Sequence, residues 1–532
     1  MLKAFPAALL LLLFALMTGQ AWGQTTLRFE VTRAAARTEG LENGRLLVSI
    51  GAKGSARPVF GSGQTGMDAA PVLGRDTVGF APGRTVTLDA ASAVFPIESL
   101  SKLPAGDYSV QALFASNRDL RSLDAPGNLF SDPVAVHLDP AAGGTVKLTL
   151  THAEPPEQMP KDTESVKYIK LQSKLLTAFH GRPIFLRAGV ILPRDYAQEP
   201  TRRYPLRVHI GGFATRYNAV DRMMRAGSGF RKLWTADDMP RFLTLQLDGD
   251  GPYGDPYQVN STNNGPYGDA VTQELIPFVE KLYRGLGQPS ARVLDGASTG
   301  GWVSFALQVF YPDFFNGTWS SSPDPLDFRA YQLVDIYKDK NAYLNPYGFE
   351  RPSERTILGE TRFTMRHEVQ MENVRGDGDS YAFSGGQWGA WNAVFSPRGA
   401  DGKPALLWNP QTGAIDPAVA EQWKKYDLRL CMEANWKTLA PKLRGKIHLW
   451  VGDADNYFLN NAVHLLDASL AKSAPPFVGE IAYGPGKGHT WYGITDRQIL
   501  DQMSAATKDP TAKGDDAGWI RVAAAAKIVL IP

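Results

Sequence analysis

The feature that most constrains this chain is Gly296-Ala297-Ser298-Thr299-Gly300-Gly301. It lies between a short strand at 292–294, apolar at Val293 and Leu294, and an amphipathic helical pattern at 303–310 that Pro312 halts. Small residues on both sides of one serine permit a tight strand-to-helix turn, because glycine takes backbone angles that a Cβ forbids. Such a turn lifts the hydroxyl to a helix N-terminus, where N–H groups lack intrahelical partners. The bare pattern carries little weight in a chain with 52 glycines. The strand before it and the helix after it supply the weight.

The surrounding sequence has the alternation that such a turn requires. Residues 169–179 and 187–192 read as the arms of a β-hairpin. Strands follow at 206–210, 242–247, 315–320, 447–451 and 480–483, with a helix of apolar spacing at 270–286. Strands alternating with helices predict a mainly parallel sheet covered by helices on both faces. Between about 326 and 440 the alternation stops, and Tyr331, Tyr337, Tyr343, Tyr347, Trp388, Trp391 and Trp408 accumulate. That stretch is read as a cap inserted over the catalytic end of the sheet or, with equal weight, as a large structural insertion.

Upstream, residues 24–152 read as all-β. Runs at 27–31, 45–50, 85–88, 108–114, 134–138 and 145–151 are separated by turn residues, which predicts a sandwich-like accessory domain without blade repeats. The Pro- and charge-rich residues 153–164 read as a linker to a second domain at 165–532. Residues 1–23 have the three parts of a secretory signal: Lys3, an apolar run at 7–17, and Ala21 and Gly23 before a cut at Gln24. The expectation is an exported protein, periplasmic or secreted, with no transmembrane segment after cleavage. The lone Cys431 permits no internal disulfide and reads as a small buried apolar residue. Lys+Arg 56 against Asp+Glu 54 gives a net charge of +2, which predicts no nucleic-acid partner.

A serine hydroxyl needs a base, and a base needs an orienting acid. On a sheet of this kind the chain order is serine, acid, histidine. His489, in the loop Gly484-Pro-Gly-Lys-Gly-His489 after the last strand, is the candidate base; His464 reads as a helix residue and His448 lies within a strand. The candidate acid is Asp455 in Gly452-Asp453-Ala454-Asp455, with Asp453 as the alternative. Oxyanion donors are expected from the Thr299 N–H and from Phe213 or Gly212, in the loop after the 206–210 strand. Trp302 and Trp491, close to the serine and the histidine in sequence, are the candidate substrate-binding aromatics. His209 reads as a packed strand residue. The loop 248–255 alternates Asp but has Pro252 at the fifth position and no Glu at the twelfth, so it reads as a loop at the site mouth rather than a calcium site. No zinc spacing is present, and neither metal nor cofactor is expected.

Taken in order, His209-Ile-Gly211-Gly212, Glu274-Leu-Ile-Pro-Phe-Val279, the turn at 296–301, Gly452–Asp455 and Gly488-His489 resemble the putative-esterase branch of the α/β-hydrolases, which includes esterase D-like, enterochelin esterase-like and feruloyl esterase-like enzymes. The resemblance covers roughly 165–325 and 440–500. It implies hydrolysis of carboxylic esters, on small molecules or linked to carbohydrate, with Ser298 as nucleophile, His489 as base and Asp455 as acid. The domain at 24–152 and the insertion at 326–440 depart from the pattern, so the acyl and alcohol groups and the oligomeric state stay open. Two other readings remain: a prolyl-oligopeptidase-like peptidase, and a non-catalytic binding protein that keeps the fold.

Overall fold

The computed structural model describes residues 25–66 and 68–507. The proposed signal segment and the last residues of the chain lie outside the described residues.

The central sheet has eight strands. They are β1 (Val166–Gln172), β2 (Phe185–Ile191), β3 (Leu206–Ile210), β4 (Leu243–Leu247), β5 (Arg292–Ala297), β6 (Thr318–Ser321), β7 (Ile447–Gly452) and β8 (Glu480–Gly484). Their order across the sheet is β1-β2-β4-β3-β5-β6-β7-β8. β1/β2 and β2/β4 are antiparallel, and every pair from β4/β3 to β7/β8 is parallel. The predicted hairpin has a helix, Lys174–His180, in its connection, started by Ser173 accepting from Leu176 N. That helix takes the end of what reads as one strand in sequence.

Successive residues of a strand face opposite sides, so the sheet builds two cores. Within β5, Leu294 belongs to one core and Val293 to the other. In β7, Ile447, Leu449 and Val451 join the first core and Trp450 the second. Five helices matter below: α1 (Thr299–Phe310), α2 (Met365–Arg375), α3 (Gln387–Phe395), α4 (Leu428–Leu443) and α5 (Asp496–Thr507). α1 and α4 cover the first face, and α5 packs Ile499, Leu500 and Met503 on the second.

The insertion between β6 and β7 is not a separate body. Tyr331, Trp388, Trp391, Trp408 and Trp423 are buried and belong to the same core as the strands. Tyr331 and Trp388 each lie 4.9 Å from Trp391, ring centre to ring centre. Most aromatics of this stretch therefore build the insertion's interior rather than face a ligand; Tyr347, in contrast, is solvent-exposed.

The N-terminal domain is one nine-stranded sheet that curls around its main core. Strands at Val72–Thr77, Ala93–Phe95 and Leu129–Ser131 join the six read from sequence. Phe29, Leu88 and Leu148 from one part of the sheet meet Leu46, Leu73 and Val110 from the other. Arg75 Nη1 donates to Thr87 O at 2.7 Å between the two parts. The linker is pinned: Glu157 takes hydrogen bonds from Arg187 and Lys170, at 2.7 and 3.0 Å.

This domain also docks on the insertion. The buried Arg45 donates to Val374 O (2.9 Å) and Asp379 (2.6 Å), and Gly66 N donates to His367 Nε2 at 3.0 Å. Leu47, Val72 and Phe95 pack with Met371 and Val374 of α2.

Candidate active site

β5 delivers the chain to Ser298, which caps α1 with φ 59° and ψ −125°. An L-residue at such angles is strained by about 1–3 kcal/mol and persists only where neighbours impose it. Here Ser298 N donates to Ser321 O, while its carbonyl accepts from Trp302 N, both at 3.0 Å. A Cβ on Gly300 would run into the carbonyl oxygens of Ile210 and Gly211. A Cβ on Gly296 would strike the backbone of Gly300. The two outer glycines are thus required by the close approach of α1 to β3 and β5.

β7 ends at Gly452, and the following turn buries Asp455 completely. Its Oδ1 accepts from Tyr457 N (2.9 Å) and Leu459 N (3.3 Å), and its Oδ2 lies 2.9 Å from His489 Nδ1. An ionised carboxylate only accepts, so Nδ1 carries the proton and Nε2 is left as the basic nitrogen. His489 N donates to Asn456 Oδ1 at 2.8 Å, which fixes the loop on the same turn. Asp453, the alternative acid, is exposed and accepts from Gly486 N at 2.6 Å.

Ser298 and His489 line one cavity of about 350 Å³, together with Phe213 and side chains of the insertion. Among the described residues no hydrogen bond joins Ser298 Oγ to His489. Such contacts often tighten only when substrate is bound. Gly212 sits beside the serine: a Cβ built on it lies 3.9 Å from Ser298 Cβ. Phe213 N and Thr299 N donate to no protein acceptor among the described residues. Thr299 N is also at the start of α1, where the helix dipole favours negative charge.

A buried network absent from the sequence reading adjoins the serine. Asp324 accepts from Tyr257 OH at 2.6 Å and from Thr299 Oγ1 at 2.9 Å, and Gln387 Nε2 reaches Tyr257 OH at 2.5 Å. Burial raises the Asp324 carboxyl above its ordinary range. Asp324 follows β6 directly, at the carboxyl end of a parallel strand where sites of open α/β sheets form. Its position after a strand was the available signal. Gln387 and Glu368 come from the insertion, and no local pattern marks them.

Several expectations need correction. Trp302 is fully buried, packed edge-on against Tyr257 at 5.6 Å, and does not line the cavity. It faces the core because α1 turns that side toward the insertion. Trp491 packs into the opposite core with Trp450, and its carbonyl accepts from Ser321 Oγ at 2.9 Å. The loop 248–255 is an internal strut rather than a mouth. Asp248 takes Arg216 Nε at 2.6 Å, and Asp250 accepts from Arg121 N of the N-terminal domain at 3.0 Å. Among the described residues no group of acidic, His and Cys side chains is placed to hold a metal. His209 is bonded to Asp295, which Arg207 also grips. Burial alone would raise Asp295, but Arg207 and His209 hold it well below the usual carboxylate range. Cys431 is buried, and burial pushes its thiol up to about 12.

The family described as "Putative esterase" matches residues 186–500, more than half of the chain. No curated protein sequence matches. Among solved structures the chain is similar to a ferulic acid esterase at 15% identity and TM-score 0.38, covering 64% of this chain and 97% of that one. It is also similar to an S-formylglutathione hydrolase from Agrobacterium tumefaciens at 12% identity and TM-score 0.36, covering 64% and 94%. A third is a CE1 ferulic acid esterase from Anaeromyces mucronatus, at 12% and 0.30, covering 64% and 90%.

Proposed function

This chain belongs to the putative-esterase family, hydrolases acting on esters, and on that premise we propose that it is an exported serine esterase working through Ser298, His489 and Asp455. The observation that carries the reading is the 2.9 Å contact of His489 Nδ1 with the buried Asp455, in a cavity that also holds the strained Ser298.

Ser298 Oγ attacks the ester carbonyl carbon while His489 Nε2 takes its proton. The oxyanion is received by the N–H groups of Thr299 and Phe213, with Gly212 leaving the space open. Collapse expels the alcohol, which takes the proton from His489. Water activated by the same histidine then releases the acid. Asp455 holds the tautomer and stabilises the imidazolium. The substrate is a small-molecule or carbohydrate-linked ester. Export is read from the 1–23 segment; N-terminal sequencing of the expressed protein is expected to begin at Gln24, in a cell fraction outside the cytoplasm, and an intact Met1 in the cytoplasm overturns it.

The test is labelling with a fluorophosphonate and turnover of a p-nitrophenyl ester panel. The wild type labels and turns over; Ser298→Ala does neither. Equal turnover by Ser298→Ala overturns the reading.

A further inference from the structure

We propose that Arg375, with Thr65, forms an anion-recognising subsite in the catalytic cavity, so that the preferred esters carry a carboxylate on the part that does not react. The proposal rests on Ser298 being the nucleophile of that cavity.

Arg375 is the last residue of α2 and lines the cavity that holds Ser298 and His489. Its Nε is buried and has no acceptor among the described residues. Among the described residues the guanidinium makes no ion pair and donates no hydrogen bond. That is unusual for a group with five donors, which is buried at a cost of several kcal/mol unless paired. The dipole at the end of α2 offsets only about 0.3–1 kcal/mol of this. Burial pulls the guanidinium below its ordinary value, and the charge of Glu372 acts in the other direction.

The neighbouring acids do not fill the role of partner. Glu372 accepts from Ser384 Oγ (2.7 Å), Trp388 N (3.0 Å) and Gly389 N (2.9 Å), and so caps α3. Asp324 is held by Tyr257 and Thr299, and Glu368 accepts from Ser353 Oγ at 2.5 Å. The acids are satisfied by internal donors, whereas the cation is not.

The N-terminal domain completes the subsite. Gly63 and Thr65 line the same cavity. A Cβ on Gly63 would come within 2.7 Å of Arg375 Nη1, so the glycine lets the guanidinium lie against the loop. The Thr65 hydroxyl has no protein partner among the described residues. A planar fork of N–H donors and a hydroxyl that line the same cavity fit a carboxylate, which accepts in bidentate fashion. The anion is distinct from the reacting group, because the serine and the oxyanion donors already surround that carbon.

Two matched ester pairs test this in the full chain. One pair places the charge on the acyl side: p-nitrophenyl hydrogen glutarate against p-nitrophenyl methyl glutarate. The other places it on the alcohol side: 4-acetoxybenzoate against its methyl ester. Each rate is normalised to alkaline hydrolysis. The wild type is expected to favour the acidic member of one pair by about 10–100-fold in kcat/KM. Arg375→Met collapses that ratio, mainly through KM; Arg375→Lys keeps part of it, and Thr65→Val loses a smaller part. Fluorophosphonate labelling of each variant reports that the site is folded. A wild type that hydrolyses neutral esters with no acid preference in either pair, or a preference that survives Arg375→Met, overturns the subsite while leaving the esterase reading intact. Turnover that survives Ser298→Ala overturns the esterase reading itself.

Discussion

At Ser298 the backbone, not the side chain, carries the expense of the site: φ is 59° in a non-glycine residue. Three backbone hydrogen bonds hold it there, to Ser321 O and from Trp302 N and Asp324 N. Ser298→Ala is expected to lower kcat by roughly 10⁵–10⁶-fold with little change in thermal midpoint, read by ester turnover and calorimetry. Asp455→Asn should lower kcat by about 10⁴-fold through the wrong imidazole tautomer, and Asp453→Asn far less, since Asp453 is an exposed acceptor for Gly486 N. Glu372 gives a pH prediction of defined sign. Burial, then the charge of Glu368, raises its carboxyl from the ordinary range to about 7. The folded state therefore holds this proton more tightly than the unfolded chain. Its contribution to stability is full below about pH 4.5 and is lost as pH rises through about 7. The thermal midpoint of Glu372→Gln, relative to wild type, should rise between pH 5 and pH 8. A constant difference would show that the group does not titrate in that window.

At the scale of elements, the strand–turn–helix is the unit that the sequence states most clearly. Strand β5, the serine and α1 are all legible from 292–310 because the glycines and the apolar period lie next to one another in the chain. Gly300→Ala is expected to destabilise by about 1–3 kcal/mol or more, because the Cβ meets the carbonyls of Ile210 and Gly211. Urea unfolding checks the value, and fluorophosphonate labelling should fall with it. The Gly452–Asp455 turn and the His489 loop are also local in sequence, and the fold brings Asp455 within 2.9 Å of His489 Nδ1. Trp302 and Trp491 pack into the two cores because nearness in sequence to Ser298 or His489 does not set which way a side chain points. α1 is buried on nearly all sides, so its aromatic is core.

For the whole molecule, the β domain is part of the wall of the cavity that holds Ser298 and His489 rather than an appendage. Arg45, 2% exposed, reaches across to Val374 O at the end of α2, and Gly63 and Thr65 line the cavity. Arg45→Met should lower the urea midpoint by an amount corresponding to about 1–3 kcal/mol and raise KM, since α2 carries Arg375, Met371 and Glu368 into the cavity. An unchanged KM with lowered stability would show that the docking is structural only. The insertion behaves likewise. Its tryptophans are continuous with the core of the sheet, so it is a fixed roof whose inner surface supplies Gln332, Gln387 and Trp391.

By itself the sequence determined the α/β sheet, the preceding β domain, the serine turn and the order of acid and histidine, because each of these is written in neighbouring residues and in periods of two and of three to four. Only the tertiary structure decided that Asp455 rather than Asp453 meets His489. It also decided that the loop 248–255 is an internal strut, that Asp324, Tyr257 and Gln387 form one buried network, and that Arg375, unpaired among the described residues, stands in the cavity beside residues more than 300 positions away. The physical reason is range. Backbone propensity and side-chain period act over a few residues, whereas desolvation and charge pairing depend on what the folded chain brings together from far apart.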